Sequence, residues 1–250
     1  MNSPAASVAP VLYEDEWLVA FDKPSGLLVV PDRWDKELAN LMQRVHQRLS
    51  PDYMNVHRLD RDTSGVLLCA KSVEIGREVV NQFEAHQVQK IYWAITRGGP
   101  STAEGKIEFP LAPDERRPGT MRLQGDGKES LTLFRVLERY KADYNLVECE
   151  PKTGRTHQIR VHLAGIGAKI VGDPLYGDVP GVLLSDLKRN FKRRGDEQPL
   201  IGRLALLARS LTITHPRTGQ PLRIEAPPPR DMELALKNLR RFPASNQNGG

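Results

Sequence analysis

The sequence predicts an α+β protein, and three observations support this fold class. The 250 residues are 39% hydrophobic and 27% charged, which is typical of a globular chain that buries a sizeable core. Segments with a helical period and segments that alternate like strands occur in mixed order. They lack the regular strand–helix alternation that a parallel sheet requires, and no internal repeat is visible. We expect one domain over residues 11–242, with flexible tails at 1–10 and 243–250.

The elements of the N-terminal part follow from short apolar runs separated by turn residues. Residues 11–13 and 17–21 flank a polar turn, which predicts an opening hairpin. A Pro-Ser-Gly turn at 24–26 precedes a further apolar run, which predicts a strand over 27–30. From Asp35, a candidate N-cap, apolar residues recur at helical spacing and predict an amphipathic helix that ends near residue 50.

The remaining elements are predicted in the same way from helical spacing, from strand-like alternation and from turn residues. The stretch 98–130 is rich in glycine, proline and charge, and we expect loops and one short strand there. Thr156 is a candidate N-cap for a helix whose Ile159 and Leu163 face the core. The other predicted elements are strands over 66–70, 90–96, 131–138 and 144–150, a helix over 73–87, a strand and turn over 169–177, a hairpin over 211–225, and a last helix carrying Met232, Leu236 and Leu239.

The charge balance indicates a polyanionic partner. The formal net charge is +5 and the sequence pI is about 9.2, so the protein attracts polyanions such as nucleic acids. No apolar run approaches the length needed to cross a bilayer, and Met1–Pro10 does not resemble a secretory signal. The two cysteines fall in predicted strands and indicate neither a disulfide framework nor a cysteine metal site. We expect a cytoplasmic protein without membrane contact.

A basic cluster in the segment 183–198 leaves two interpretations open. A run of charges is usually a solvated face. In a protein that binds RNA it would contact phosphates, with an affinity that falls as salt rises. The cluster consists of Lys188, Arg189, Lys192, Arg193 and Arg194.

The most informative stretch is 57–65, which leads directly into the predicted strand over 66–70. It combines an imidazole, two guanidinium groups and two carboxylates, and Gly65 gives the backbone freedom before the strand. This pattern places Asp60 and Asp62 on a constrained turn, where carboxylates are candidate nucleophiles or bases. Composition alone favours the alternative, a solvated turn whose charges form weak surface pairs.

Two later stretches carry further candidate groups. In the strand predicted over 90–96, Tyr92 faces away from its large apolar neighbours. Farther on, Lys152 and Arg155 are candidate phosphate contacts, and Arg160 lies near the start of the helix that follows. A zinc site is not predicted, since the two histidines of this stretch are five residues apart and do not share a helical face. A phosphate-binding loop is not predicted either, because its spacing of glycines is missing.

Together these stretches resemble the motifs of the RluA-type pseudouridine synthases. His57-Arg58-Leu59-Asp60 followed by Asp62-Thr63-Ser64-Gly65 is similar to the family's signature. Lys23-Pro24-Ser25-Gly26 resembles the first motif, Lys90-x-Tyr92-x-Ala94 the second and Thr153–His162 the third. Three ordered motifs make the resemblance specific, and it covers about residues 11–230.

The resemblance implies a fold, a reaction and a set of site residues. The fold is the pseudouridine synthase fold, with a curved, mainly antiparallel mixed sheet, flanking helices and a central active-site cleft. The reaction is isomerisation of a flipped uridine in structured ribosomal or transfer RNA, with Asp60 as nucleophile, Tyr92 stacked on the base and Arg160 paired with Asp60. It requires neither cofactor nor metal, and we expect the chain to act as a monomer. The residues expected to contact RNA are Arg58, Arg61, Lys90, Lys152, Arg155 and His157.

Two alternatives from other classes and one departure accompany this interpretation. A carboxylate-pair glycoside hydrolase would use Asp60 with a second acid, but Asp62 is only two residues away. A non-catalytic RNA-binding module would explain the charge but not Tyr92 and Arg160 at motif positions. The departure is Leu207, which stands where the family commonly carries a histidine.

Overall fold

The computed structural model describes residues 7–32, 35–188, 191 and 196–244. The chain divides into two compact units. The first contains Met1–Tyr92 and Leu207–Pro227, and the second contains Trp93–Leu206 and Pro228–Gly250. The expected single domain over 11–242 stays a prediction.

Strands predominate over helices in both units. The helices are α1 (Leu41–Arg48), α2 (Val73–Glu84), α3 (Gln158–Gly165), α4 (Leu184–Leu187) and α5 (Arg230–Leu239). The strands are β1 (Val11–Glu14), β2 (Leu18–Lys23), β3 (Met54–Asn55), β4 (Ser64–Ala70), β5 (Gln89–Arg97), β6 (Glu104–Ile107), β7 (Leu111–Pro113), β8 (Met121–Leu123), β9 (Thr132–Arg139), β10 (Tyr144–Pro151), β11 (Lys169–Ile170), β12 (Leu206–Thr214) and β13 (Pro221–Glu225).

The first unit is built around the buried strand β4. The strand order is β1-β2-β4-β12, and β3 and β13 pair with β4 and β12 respectively. All pairs are antiparallel except β4 with β12, which run parallel with Ala208 opposite Gly65. Gly65 has a φ of +110°, and a Cβ there would lie 2.3 Å from the carbonyl oxygen of Ala208, so this position requires glycine.

The core of the first unit forms where these strands meet α1. Helix α1 is amphipathic, and its buried side chains are Leu41, Met42 and Val45. We refer to the cluster that they join as the first-unit core. Its buried members are Val8, Ala9, Val19, Phe21, Leu27, Val29, Leu41, Met42, Val45, Leu59, Leu67, Cys69 and Ala208.

The second unit contains a further series of paired strands and the helix of the third motif. The strand order is β5-β10-β9-β6, with β11 antiparallel to the end of β5. Strands β9 and β10 are antiparallel, as are β6 and β9, and β7 with β8 forms a separate hairpin. Helix α3 packs against β8, β9, β10 and β11.

The structure confirms the α+β class with mainly antiparallel strands. Every predicted strand from 66–70 onwards is present, and the region 98–130 holds three short strands, β6 to β8, where we expected one. No helix among the described residues is long and apolar enough to cross a bilayer.

Three local predictions are wrong. The apolar run 27–30 forms no strand, because the carbonyls of Leu28 and Val29 accept hydrogen bonds from the first amides of α1. That helix begins after Asn40, whose Oδ1 accepts from the Gln43 amide, and not after Asp35. Helix α3 begins at Gln158, so Thr156 is not its cap.

The predicted tails are described only in part. Residues 1–6 and 245–250 lie outside the described residues. Val8 and Ala9 are buried in the first-unit core, so the end of the expected N-terminal tail is packed because its side chains are apolar. Of the basic cluster, only Lys188 lies within the described residues.

Candidate active site

The turn that carries Asp60 is anchored by alternating buried and exposed side chains. Leu59 is buried in the first-unit core, whereas Arg58 and Arg61 are exposed on either side of it. Asp60 is half-buried, and its carbonyl oxygen accepts a hydrogen bond of 3.2 Å from the Thr63 amide. The leucine therefore fixes the backbone while the carboxylate stays accessible.

The ammonium of a buried lysine donates a hydrogen bond to the backbone of the same turn. Lys23 is fully buried at the end of β2, and its Nζ lies 2.9, 2.7 and 2.9 Å from the carbonyl oxygens of Pro24, Leu27 and Arg61. A buried ammonium is tolerated only when such acceptors satisfy it. Arg61 is the residue directly after Asp60. By binding the Arg61 carbonyl, Lys23 therefore helps to position the candidate nucleophile.

Two other residues of the first motif also form hydrogen bonds to the backbone of this turn. The Gly26 amide donates to the Arg61 carbonyl at 2.9 Å, and the Ser25 hydroxyl donates to the Asp62 carbonyl at 2.7 Å. The sequence shows Lys23-Pro24-Ser25-Gly26 only as a motif and does not reveal that it positions the turn. The available signal was a lysine that ends an apolar strand immediately before a Pro-Ser-Gly turn.

His57 supports the turn from its other end. The Leu68 amide donates to His57 Nε2 at 3.0 Å, and the imidazole stacks on the Phe83 ring with centroids 5.2 Å apart. Burial, and then the charge of Lys90, lower the pKa of His57 to about 3. The ring is therefore neutral near pH 7 and acts as a hydrogen-bond acceptor for the backbone.

The neutral state of His57 predicts a pH dependence of stability. Above pH 6.5 this histidine is neutral in the folded and unfolded chain; between pH 6.5 and about 3 only the unfolded chain binds the proton. The free energy of unfolding should therefore fall with decreasing pH, by up to about 1.4 kcal/mol per pH unit from this group. Urea denaturation between pH 7 and 5 measures the slope. His57→Gln, which keeps an acceptor, should have a shallower slope, and an equal slope would contradict this assignment.

Tyr92 lies in the first unit, close enough to Asp60 to feel its charge. The Tyr92 side chain is half-buried and packs against the first-unit core. Burial, and then the negative charge of Asp60, raise the pKa of the Tyr92 phenol well above its ordinary value. Tyr92 is thus a neutral aromatic ring beside a carboxylate.

Arg160 lies in the second unit, near the start of α3. Its guanidinium is almost fully buried and forms a bidentate ion pair with Asp173, with Nε to Oδ2 at 2.8 Å and Nη2 to Oδ1 at 2.7 Å. From sequence, Asp173 is expected only in a strand and turn, and the resemblance names Asp60 as the partner of Arg160. The pairing with Asp60 stays a prediction.

The Asp173 carboxylate also accepts hydrogen bonds from backbone amides of the turn that follows it. Burial raises its pKa, but Arg160 and the amides of Leu175 and Tyr176, which donate to Oδ1 at 2.9 and 3.2 Å, keep the pKa below the ordinary value. The ring of Tyr176 lies under the Arg160 guanidinium, with 5.1 Å from the guanidinium carbon to the ring centroid.

The residues predicted to contact RNA occupy both units. Lys90 is half-buried in the first unit. In the second unit, Lys152 and Arg155 are exposed; Lys152 pairs with Glu150, and Arg155 donates to the Glu129 carbonyl. The His157 backbone is in the left-handed region, with a φ of +53°, and its Nδ1 lies 2.8 Å from the Tyr176 hydroxyl.

The other residues singled out by sequence are structural. His162 is fully buried, with Nδ1 2.9 Å from the Thr132 hydroxyl and Nε2 2.9 Å from the Ser130 hydroxyl. Leu207 is fully buried and pairs with Ser64 at the start of β4, directly after the turn of Asp60. Within the described part of the chain, no group of three or more His, Cys, Asp or Glu side chains is arranged to hold a metal ion.

Comparisons with known proteins agree on one family. Residues 17–165 match the family described as RNA pseudouridylate synthase. The chain is 36% identical over 241 residues to ribosomal large subunit pseudouridine synthase D of Xanthomonas campestris pv. campestris, covering 92% of this chain and 69% of that protein. It is 40% identical over 228 residues to tRNA pseudouridine synthase C of Salmonella typhi, covering 86% of this chain and 84% of that protein.

A solved structure shows the same fold. The structure titled human RNA pseudouridylate synthase domain containing 4 superposes with a TM-score of 0.70 and 25% sequence identity. The superposition covers 94% of this chain and 95% of that one.

Proposed function

This chain belongs to the RNA pseudouridylate synthase family, as its resemblance to the RluA-type enzymes predicted, and we propose that it isomerises uridine in structured RNA to pseudouridine. The C1′–N1 bond breaks and a C5–C1′ bond forms. N1 gains one proton and C5 loses one, so the reaction is redox-neutral and requires no cofactor. One relative is named for the ribosomal large subunit and the other for tRNA, and we propose ribosomal or transfer RNA as the substrate.

One observation carries the proposal: a half-buried carboxylate, Asp60, stands beside a neutral aromatic ring, Tyr92, on a turn held by the buried Lys23. A carboxylate can attack the sugar or the base covalently and then depart. A uridine must leave its stack to reach it, and stacking on an aromatic ring contributes about 1–3 kcal/mol towards this extrusion. Tyr92 is the ring that we propose for this role.

The remaining parts of the proposal rest on the motif match. Arg160 pairs with the ionised Asp60 and orients it, since guanidinium–carboxylate pairs are strongly directional. Exposed cations, among them Arg58 and Arg61 in the first unit and Lys152 and Arg155 in the second, contact RNA phosphates. The enzyme acts in the cytoplasm and as a monomer.

The proposed function is tested by mapping pseudouridines at single-nucleotide resolution in cells with and without the gene. We expect one or a few uridines in ribosomal or transfer RNA to be modified only when the gene is present. The purified chain should then convert the same uridines in RNA from the deletion strain. Identical maps, together with no conversion by the purified chain, would contradict the proposal.

A further inference from the structure

The Arg160–Asp173 ion pair is almost completely buried. The side chains are 3% and 1% exposed. Removing two ions from water is strongly unfavourable unless the geometry is excellent and the remaining polar atoms are also satisfied. Here both carboxylate oxygens accept from the guanidinium, and Oδ1 also accepts from two backbone amides. Such a network holds its members in one arrangement.

Tyr176 adds a second support to the same guanidinium. The guanidinium carbon of Arg160 lies over its ring, 5.1 Å from the centroid. Its hydroxyl oxygen accepts from the Met121 amide at 2.7 Å and lies 2.8 Å from His157 Nδ1. The ring is thus tied both to the β7–β8 hairpin and to the residue that precedes α3. Asp173 binds one edge of the guanidinium, and the Tyr176 ring lies under its central carbon.

These contacts determine where the rest of the guanidinium points. An arginine presents a rigid planar fork, so occupation of the Nε and Nη2 edge by Asp173 also sets the direction of Nη1. Catalysis is sensitive to such placement, since a displacement of about 1 Å can lower a rate about 10²-fold.

We propose that Asp173 is a positioning residue for the reaction, which holds the Arg160 guanidinium in its active orientation with Tyr176 as a second support. The inference rests on the proposed function and deepens it. Asp173 acts through Arg160 and not on the substrate itself.

Asp173→Asn tests the inference because the amide keeps the shape but offers only one acceptor oxygen. We expect kcat to fall about 10²-fold with KM for RNA within about threefold, since the exposed cations are unchanged. Asp231→Asn is the matched control. Asp231 forms a bidentate pair of the same geometry with Arg203, at 2.7 and 2.6 Å, but its side chain is 37% exposed. This control should leave kcat unchanged.

A double-mutant cycle separates positioning from a general structural effect. Once Arg160→Gln has removed the guanidinium, adding Asp173→Asn should lower kcat no further. If Asp173→Asn does not fold, Tyr176→Leu replaces it in the same cycle. Wild-type kcat in folded Asp173→Asn, or additive losses in the cycle, would overturn the inference. Loss of activity only through KM would also overturn it.

Failure of the inference about Asp173 can be distinguished from failure of the proposed function. If the wild-type chain forms pseudouridine and Asp60→Asn does not, the proposed function holds whatever Asp173→Asn does. If the wild-type chain forms none with any ribosomal or transfer RNA, the proposed function fails, and the positioning inference fails with it.

Discussion

Asp60→Asn is expected to lower single-turnover pseudouridine formation by at least about 10³-fold. An amide is a neutral and weak nucleophile, and removal of a catalytic nucleophile has effects of this size or larger in other enzymes. The Asp60 side chain is half-buried, while the backbone carbonyls of the turn accept hydrogen bonds from the Lys23 ammonium, the Ser25 hydroxyl and the Gly26 amide. The variant should therefore fold, with a change in stability within about 1 kcal/mol. Chromatography of digested RNA measures the product, and RNA affinity should change by less than about threefold.

Asp62→Asn provides the matched control for this experiment. Asp62 lies two residues along the same turn, is also partly buried, and contributes its backbone carbonyl to the Ser25 contact. Because the substitution leaves that carbonyl in place, we expect activity within about tenfold of the wild type. Near wild-type activity in Asp60→Asn, or an equal loss in both variants, would remove Asp60 from its proposed role.

Tyr92→Leu is expected to give the second large effect, a fall in kcat/KM of about 10- to 100-fold. The physical reason is the loss of base–aromatic stacking, which contributes about 1–3 kcal/mol per base. Leucine still packs against the first-unit core, so the expected loss lies in catalysis more than in folding. Steady-state kinetics with the RNA identified by mapping, together with thermal unfolding, separate the two contributions.

Two further variants make the Tyr92 result specific. Tyr92→Phe keeps the ring, so stacking predicts that most activity remains. Tyr53 is another partly buried tyrosine packed against the first-unit core, and Tyr53→Leu should lower stability while leaving kcat unchanged. An equal loss of activity in Tyr92→Phe and Tyr92→Leu would show that the hydroxyl, and not the ring, carries the function. Unchanged kinetics in Tyr92→Leu would mean that another group stacks on the base.

Much of the first unit could be predicted from local pattern. The residues of β4 are small or apolar throughout, which suits a strand buried on both faces, and α2 begins after Ser72 because its hydroxyl accepts from the Ile75 amide. Wrong boundaries arose where tertiary contacts replaced a local signal. The run 27–30 has strand-like composition, yet two of its carbonyls cap α1, and the cap of that helix is Asn40.

The sequence identifies the candidate residues by their motifs, but it does not identify the residues that hold them in place. Asp60, Tyr92 and Arg160 each lie in a motif, so they are recognisable from the printed residues. Lys23 and Asp173 lie in or near recognisable motifs too, but their partners are remote. Lys23 contacts a carbonyl 38 residues away, and Asp173 contacts a guanidinium 13 residues away on another element.

The family, the elements with strong periodicity and the candidate nucleophile can be recognised from the printed residues, because they depend on residue types at short, fixed spacings. The folded structure was needed to show that a buried ammonium contacts the turn of the candidate nucleophile and that Asp173 pairs with Arg160. The physical reason is that a buried charge must find partners wherever the fold brings acceptors within hydrogen-bond distance, and chain spacing does not specify which acceptors those are.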